Sequence, residues 1–275
     1  MNALSAIVLG VVERGLIYTL IVCGIYVTSR IIRFDDLSVE GSVGLGGAVT
    51  AACLANGINS WLSLGAVIVA GTGTGLATGL LHTRLGLNNL ISGIIVSTAL
   101  FSVCLKIGSS TTVLPADSSL FACVPYSLML LLPISCTIIC TLVWLLKTDV
   151  GFLLRAVGEN PRMLQNLGKS VDKYKIIGLV IANVFNALGG AFLAHYMGYF
   201  SIWSNVGILV IGLTSLIIAE LMNKKCGVNL MIGAVVYQGI IATTFELNID
   251  QDWNKCITAV LLVILLAVHK KVSKG

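Results

Sequence analysis

The run Arg33-Phe34-Asp35-Asp36-Leu37-Ser38-Val39-Glu40-Gly41-Ser42 sets three carboxylates and two hydroxyls at the entry to a glycine-rich apolar stretch. Such a group has two uses. Asp36 or Ser38 can cap the first turn of a following helix by accepting from its free N–H groups. Alternatively, a helix start near membrane depth turns N–H groups and the positive end of its dipole toward a polar solute. The second use would put Asp36, Ser38, Gly41 and Ser42 on a translocation path. Other polar groups inside apolar runs are Asn183, Asn186, Ser215, Glu220 and Gln238. Asn183 and Asn186, at i and i+3, either bind helices together or face a solute; with Ser215 they complete the candidate path. Glu220 stands within a turn of Asn223-Lys224-Lys225 and is expected at the membrane surface.

No arrangement suited to catalysis accompanies these residues. His82, His195 and His269 fall at the ends of apolar runs, without partners at catalytic spacing. The sequence holds no GxxxxGK[ST] phosphate loop, no nucleophile elbow and no HExxH. The chain is therefore expected to use no cofactor, to bind no metal and not to hydrolyse ATP itself. Cys23, Cys53, Cys104, Cys136 and Cys140 lie within apolar runs, and no CxxC pair occurs. They are expected as buried free thiols, which behave as small hydrophobes. Cys136 and Cys140 share a helix face at i, i+4 but lack His or carboxylate companions for a metal.

These residues sit in a chain that is 57% hydrophobic and 11% charged, against about 25% charged in soluble domains. So little charge cannot clothe a water-facing surface. The net charge of +5 is spread over short loops and helix ends rather than one stripe, which suits membrane orientation and not nucleic acid. The apolar runs are Gly15 to Ile32, Val43 to Leu54, Trp61 to Leu81, Leu90 to Ile107, Val124 to Leu146, Lys175 to Met197, Val206 to Met222, Val228 to Phe245 and Cys256 to His269. The expected fold is all-α: one polytopic transmembrane helical bundle over residues 1–275, with eight or nine hydrophobic segments. The second run reaches only about 18 Å of a hydrocarbon core about 30 Å thick, so it is expected as a short broken or re-entrant helix. Residues 1 to 12 are expected as an interfacial helix or an extension of the first span. They lack the basic start and cleavage site of a removable signal peptide.

Basic residues gather in cytoplasmic loops of membrane proteins. Lys147, Arg155, Arg162, Lys169, Lys173 and Lys175 all fall between the fifth and sixth runs. Alternation then puts His82, Arg84, Lys224, Lys225, Lys270, Lys271 and Lys274 on that side. Asn56 to Ser60, Gly108 to Ala122 and Glu246 to Trp253 fall outside, while Arg30 to Glu40 mixes both signs. Gly71, Gly75 and Gly79 recur every four residues, the spacing that lets helix backbones approach. The short second run is the expected partner of that face. Its own glycines either pack tightly or line a polar pathway. The cytoplasmic segment 147–175 interleaves Leu153, Leu154, Val157, Met163, Leu164 and Leu167 with charge. An amphipathic helix is expected there, with Asn160-Pro161 starting a helical turn. It either orients the protein or docks in a groove of a cytoplasmic partner.

Four stretches carry a family resemblance. FDDLSVEGSVGLGGAVTAA resembles the DLSV-G segment of permeases in the ribose and branched-chain amino acid class of bacterial ABC importers. GFLLRAVGENPRMLQNLGKSVDKYKIIGLVIANVFNALGGAFLAHYMGYFS is similar to their cytoplasmic coupling loop and following helix. GILVIGLTSLIIAE resembles their next span, and LHTRLGLNNLISGIIV extends the match. Within the class the likeness is to small permeases linked with amino-acid-type binding lipoproteins. The resemblance implies a homodimer or pseudo-dimer in the bacterial plasma membrane, a separate cytoplasmic ATPase and an external solute-binding protein. It implies ATPase contact at Arg155, Ala156, Gly158, Asn160 and Gly168, and a small polar solute, amino acid before sugar or nucleoside. A secondary transporter is the rival reading, but such carriers place ionisable groups at mid-membrane, and the runs hold almost none. A membrane-embedded enzyme would need a catalytic cluster that the spacing does not supply.

Overall fold

Apolar segments in a bilayer must close their backbone hydrogen bonds internally, and a helix does so within one segment. The computed structural model describes residues 3–115, 119–121, 127–222, 227–246 and 253–272. Its helices are α1 (Ala3–Tyr26), α2 (Val39–Ala55), α3 (Ser60–Leu85), α4 (Asn89–Gly108), α5 (Ser127–Lys147), α6 (Asp149–Glu159), α7 (Pro161–Asn166), α8 (Val171–Met197), α9 (Ile208–Met222), α10 (Val228–Glu246) and α11 (Asn254–Val272). Among the described residues, six segments are long and apolar enough to cross a membrane: Ser5–Ile31, Ser60–Leu85, Asn89–Gly108, Ser127–Lys147, Val171–Met197 and Ile202–Met222. Shorter apolar helices cover Val39–Ala55, Val228–Thr244 and Lys255–Ala267. The polytopic bundle expected from composition is the fold observed.

α1 begins at Ala3 and runs without a break into a π-helical turn, Val27–Ile31. Residues 3 to 12 therefore extend the first span. α8 is the central helix, packed on α1, α2 and α3. α2 is short, at 17 residues, and continuous. It starts four residues before the apolar run, because Val39, Gly41 and Ser42 are buried by neighbouring helices. Its end joins α3 at Asn59, whose side chain caps α3 by accepting from Trp61 N–H at 3.0 Å. α3 then returns to the end of the bundle where α2 began: His82 near its close stacks edge-on against Phe34 at 5.1 Å. α2 thus joins the two ends.

Glycine decides how close these helices come. A Cβ on Gly46 would strike the Ala187 carbonyl, and one on Gly190 the Val43 carbonyl. α2 and α8 therefore touch backbone to backbone. The Gly71, Gly75 and Gly79 face packs on α8 rather than on α2 as expected. Cβ atoms there would lie 2.9 Å from Asn183 O, 2.5 Å from Val180 Cα and 2.9 Å from Ile176 Cγ1. Residue spacing names a face, whereas the neighbour is set by how α3 turns back beside α8.

Two further departures concern the periphery. Thr111–Val113 (β1) pairs antiparallel with Tyr199–Ser201 (β2), a short ladder between the exits of α4 and α8. Cys23 and Cys104 are buried, but Cys136 and Cys140 are exposed. α5 buries Leu131, Ser135, Ile139, Leu142 and Leu146, so those two thiols occupy the opposite, outward face.

Candidate translocation site

The loop between the π turn and α2 ends in a closed polar knot. Asp36 Oδ1 accepts from Ser38 N–H at 2.8 Å and from Ser38 Oγ at 2.5 Å. Asn183 Nδ2 donates to Asp36 Oδ2 at 3.1 Å and to Leu179 O at 3.0 Å. Asn183 Oδ1 accepts a short bond from Ser42 Oγ and a longer contact, 3.3 Å, from Ser38 Oγ. Ser38 occupies the N-cap position of α2, yet its hydroxyl makes no cap bond. It is spent on the knot instead. Burial pushes the Asp36 carboxyl above its ordinary value, against the Ser38 and Asn183 bonds that favour the carboxylate.

The remaining path candidates separate. Ser215 donates to Ile211 O within its own helix at 2.9 Å. Asn186 is fully buried beside Gly24, and neither of its side-chain polar atoms has a partner among the described residues. Gly41 lines a cleft of about 270 Å³ between α2, α4 and the turn Ile202–Asn205 that precedes α9. Glu40, Gly44, Ser97, Thr98, Phe101, Ser102 and Asn205 line it too. Glu40 Oε1 accepts from Gly207 N–H at 2.9 Å, at the start of α9, where a carboxylate meets the positive end of the helix dipole. Gly207 has φ +91°, a conformation side chains disfavour. A second cavity, about 430 Å³, is lined by Arg14, Tyr18, Tyr237, Gln238, Lys255 and Thr258 among others.

Two polar ties lie near the ends of α1, α3, α8 and α9. Arg30 makes a bidentate pair with Glu220, at 2.6 and 2.8 Å. The expected surface role of Glu220 becomes a tie between α1 and α9. His82 Nδ1 lies 2.8 Å from Leu87 O, and its Nε2 lies 3.0 Å from Lys175 Nζ. The ring therefore donates to the carbonyl and accepts from the ammonium group.

The segment 147–175 forms two helices. Thr148 caps α6 by accepting from Gly151 N–H at 3.4 Å. Asn160 caps α7 by accepting from Met163 N–H at 3.1 Å, with Pro161 in the first turn. Leu154 and Val157 are buried, and a Cβ on Gly158 would strike the Ile31 carbonyl. Gly158 thus seats α6 directly on the π turn. Arg155 is exposed and Ala156 half-buried. Gly168, at φ +69°, closes α7 by donating to Gln165 O at 2.9 Å. Phe152 (61% exposed), Met163 and Leu167 point away from the bundle.

Several functional candidates escaped the sequence reading. Glu13 is buried and accepts from Tyr196 Oη at 3.1 Å, and Arg14 follows it inside the first span. The observed span begins before the apolar run at Gly15 and so takes in two ionisable groups that the run left out. Glu40 was legible only as one of three carboxylates. Its spacing of four from Gly44 was the available signal, because that puts both on one helix face. Lys224, Lys225, Lys274, Asp117 and Asp250 lie outside the described residues, and so does the side chain of His269.

Spanning helices, a buried polar knot and an open polar cleft define a multi-pass helical membrane protein. The chain matches, over residues 7–266, the family described as "Branched-chain amino acid transport system / permease component", and it belongs to that family. It is a transport permease of the ABC class, not an enzyme. It is 33% identical over 268 residues to a "Tyrosine transport system permease protein" of Clostridioides difficile (strain R20291), covering 94% of this chain and 90% of that protein. An uncharacterized protein of Rickettsia prowazekii (strain Madrid E) is 29% identical over 278 residues, covering 96% and 98%. A nucleoside ABC transporter permease of Lactococcus lactis matches at 35% identity over 86 residues, 30% of this chain and 27% of that protein. No solved structure matches.

Proposed function

We propose that the chain is the membrane-spanning subunit of an importer in a bacterial plasma membrane, driven by a separate ATPase that docks on α6 and α7. The observation that carries this reading is the two-sided character of α6. Its inner side buries Leu154 and Val157 and is seated on the π turn through Gly158, while Phe152 and Arg155, like Met163 of α7, are exposed. A push on the outer side passes to α1 by backbone contact and on to α9 through Arg30 and Glu220. Arg155, Ala156 and Asn160 offer the contact surface, while Gly158 and Gly168 set its shape. An external binding protein delivers a small polar solute, an amino acid by likeness to the tyrosine permease, and two copies enclose the path. In this reading Gly41 lines the path. Asp36, Ser38, Ser42 and Asn183 fix the start of α2 beside it, and Asn186 and Ser215 stand behind it on α8 and α9.

The test is co-purification, in mild detergent from the native membrane, with an ABC-type ATPase. Arg155→Ala with Phe152→Glu should abolish capture while leaving membrane insertion intact, since truncating an interface arginine often costs ~2 kcal/mol or more. Full capture and full uptake by the double variant would refute docking at α6.

A further inference from the structure

We infer that the Glu40 cleft is a recognition subsite for the ammonium group of a solute carrying a flat apolar body. This deepens the permease reading and rests on it. The cleft lies at mid-depth. A Cβ on Gly41 would lie 3.0 Å from Ser97 Cα, and Ser97 and Ser102 stand roughly 12 and 20 Å along an α4 of roughly 30 Å. A carboxylate at that depth is costly unless it has work to do. Glu40 Oε1 is occupied by Gly207 N–H, whereas Oε2 has no hydrogen-bond partner among the described residues. One oxygen is thus held by the protein and the other remains for a donor.

The rest of the lining selects the donor. Ser97, Thr98 and Ser102 add hydroxyls along one side of the cleft, and Asn205 adds an amide across from Gly44. Among the described residues no Lys or Arg lines the cleft, so no cation there would attract a carboxylate or phosphate. Phe101 meets Trp203 edge to face at 6.2 Å, and with Ile202 it supplies an apolar wall. An ammonium group beside Glu40, with an aromatic or aliphatic body against Phe101, satisfies every surface of the cleft. A neutral nucleoside would leave Oε2 unpaired with charge.

Ser102→Cys in the full chain tests the charge preference directly, using cationic 2-aminoethyl and anionic 2-sulfonatoethyl methanethiosulfonate. Rates are normalised to a free thiol, and the Ser102 parent gives the background from natural cysteines. The cationic reagent should gain about ten-fold or more over the anionic one. That gain should collapse in Glu40→Gln, which keeps the acceptor for Gly207 N–H and so the start of α9. Tyramine at millimolar concentration should slow labelling, and 3-(4-hydroxyphenyl)propionate, its carboxylate counterpart, should not. Equal normalised rates, a gain unchanged in Glu40→Gln, equal protection by both compounds, or no labelling at Ser102→Cys and Ser97→Cys alike would overturn the subsite. The labelling needs no ATPase, so failed ATPase capture alongside a charge-selective cleft would count against the importer reading alone.

Discussion

Asn183 and Asn186 stand three residues apart on α8, and both are fully buried. Asn183 engages Asp36, Ser38, Ser42 and Leu179, whereas the Asn186 side chain has no hydrogen-bond partner among the described residues. The spacing turns one amide toward the start of α2 and the other toward Gly24 of α1. An amide placed among hydroxyls and a carboxylate becomes a joint, and the same amide against a bare helix backbone is a cost. Burial alone therefore says little about the worth of a polar group; its neighbours decide the sign.

The contrast is open to direct attack. Asn183→Leu should be the most damaging change, about 3 kcal/mol or more, because it takes the donor from buried Asp36 Oδ2 and the acceptor from buried Ser42 Oγ. Loss of monodisperse protein in detergent, or a large fall in melting temperature, is the expected record. A melting temperature equal to the parent would mean that the knot contributes nothing. Gly75→Leu probes a third face of α8, where a Cβ would already crowd Val180. A cost of ~1 to 3 kcal/mol is expected from overpacking, read as reduced thermal stability; wild-type stability would place that glycine face away from α8. Glu220→Gln weakens a pair whose arginine is 46% exposed. Its effect should stay under about 1 kcal/mol and shrink with added salt. Asn186→Leu, nearly isosteric, should leave stability within about 1 kcal/mol of the parent and on the stabilising side. A large loss there would reveal a partner that Asn186 finds in another conformation or through water.

Much of the bundle could be read from the sequence, for a physical reason. A bilayer span needs a long apolar run, and polar punctuation marks its ends, so the segments and the start at Asn160-Pro161 were legible. Partners across the bundle were not. Arg30 and Glu220 are 190 residues apart, and Glu40 and Gly207 are 167 apart. Periodicity reports which residues share a face and is silent on what that face meets. The glycine stripe of α3 illustrates this, its face foreseen and its partner mistaken. In the candidate site Gly41 was named for lining a path, and Glu40 beside it was passed over. Charge near a span end reads as interfacial until a fold shows how deep it sits.

The π turn at Val27–Ile31 has a further consequence. It is marked by Ile32 N–H reaching back to Val27 O at 3.0 Å, and a turn of this kind amounts to one surplus residue in an α-helix. The first span therefore has one axis and two angular phases. Arg30 and Ile31 face Glu220 and Gly158 only because that surplus residue resets the count. Winding these same residues into a uniform α-helix, with none removed, would rotate everything on one side of the turn by about 100° relative to the other. The helix would remain straight, yet its charged tip would be aimed at a different neighbour.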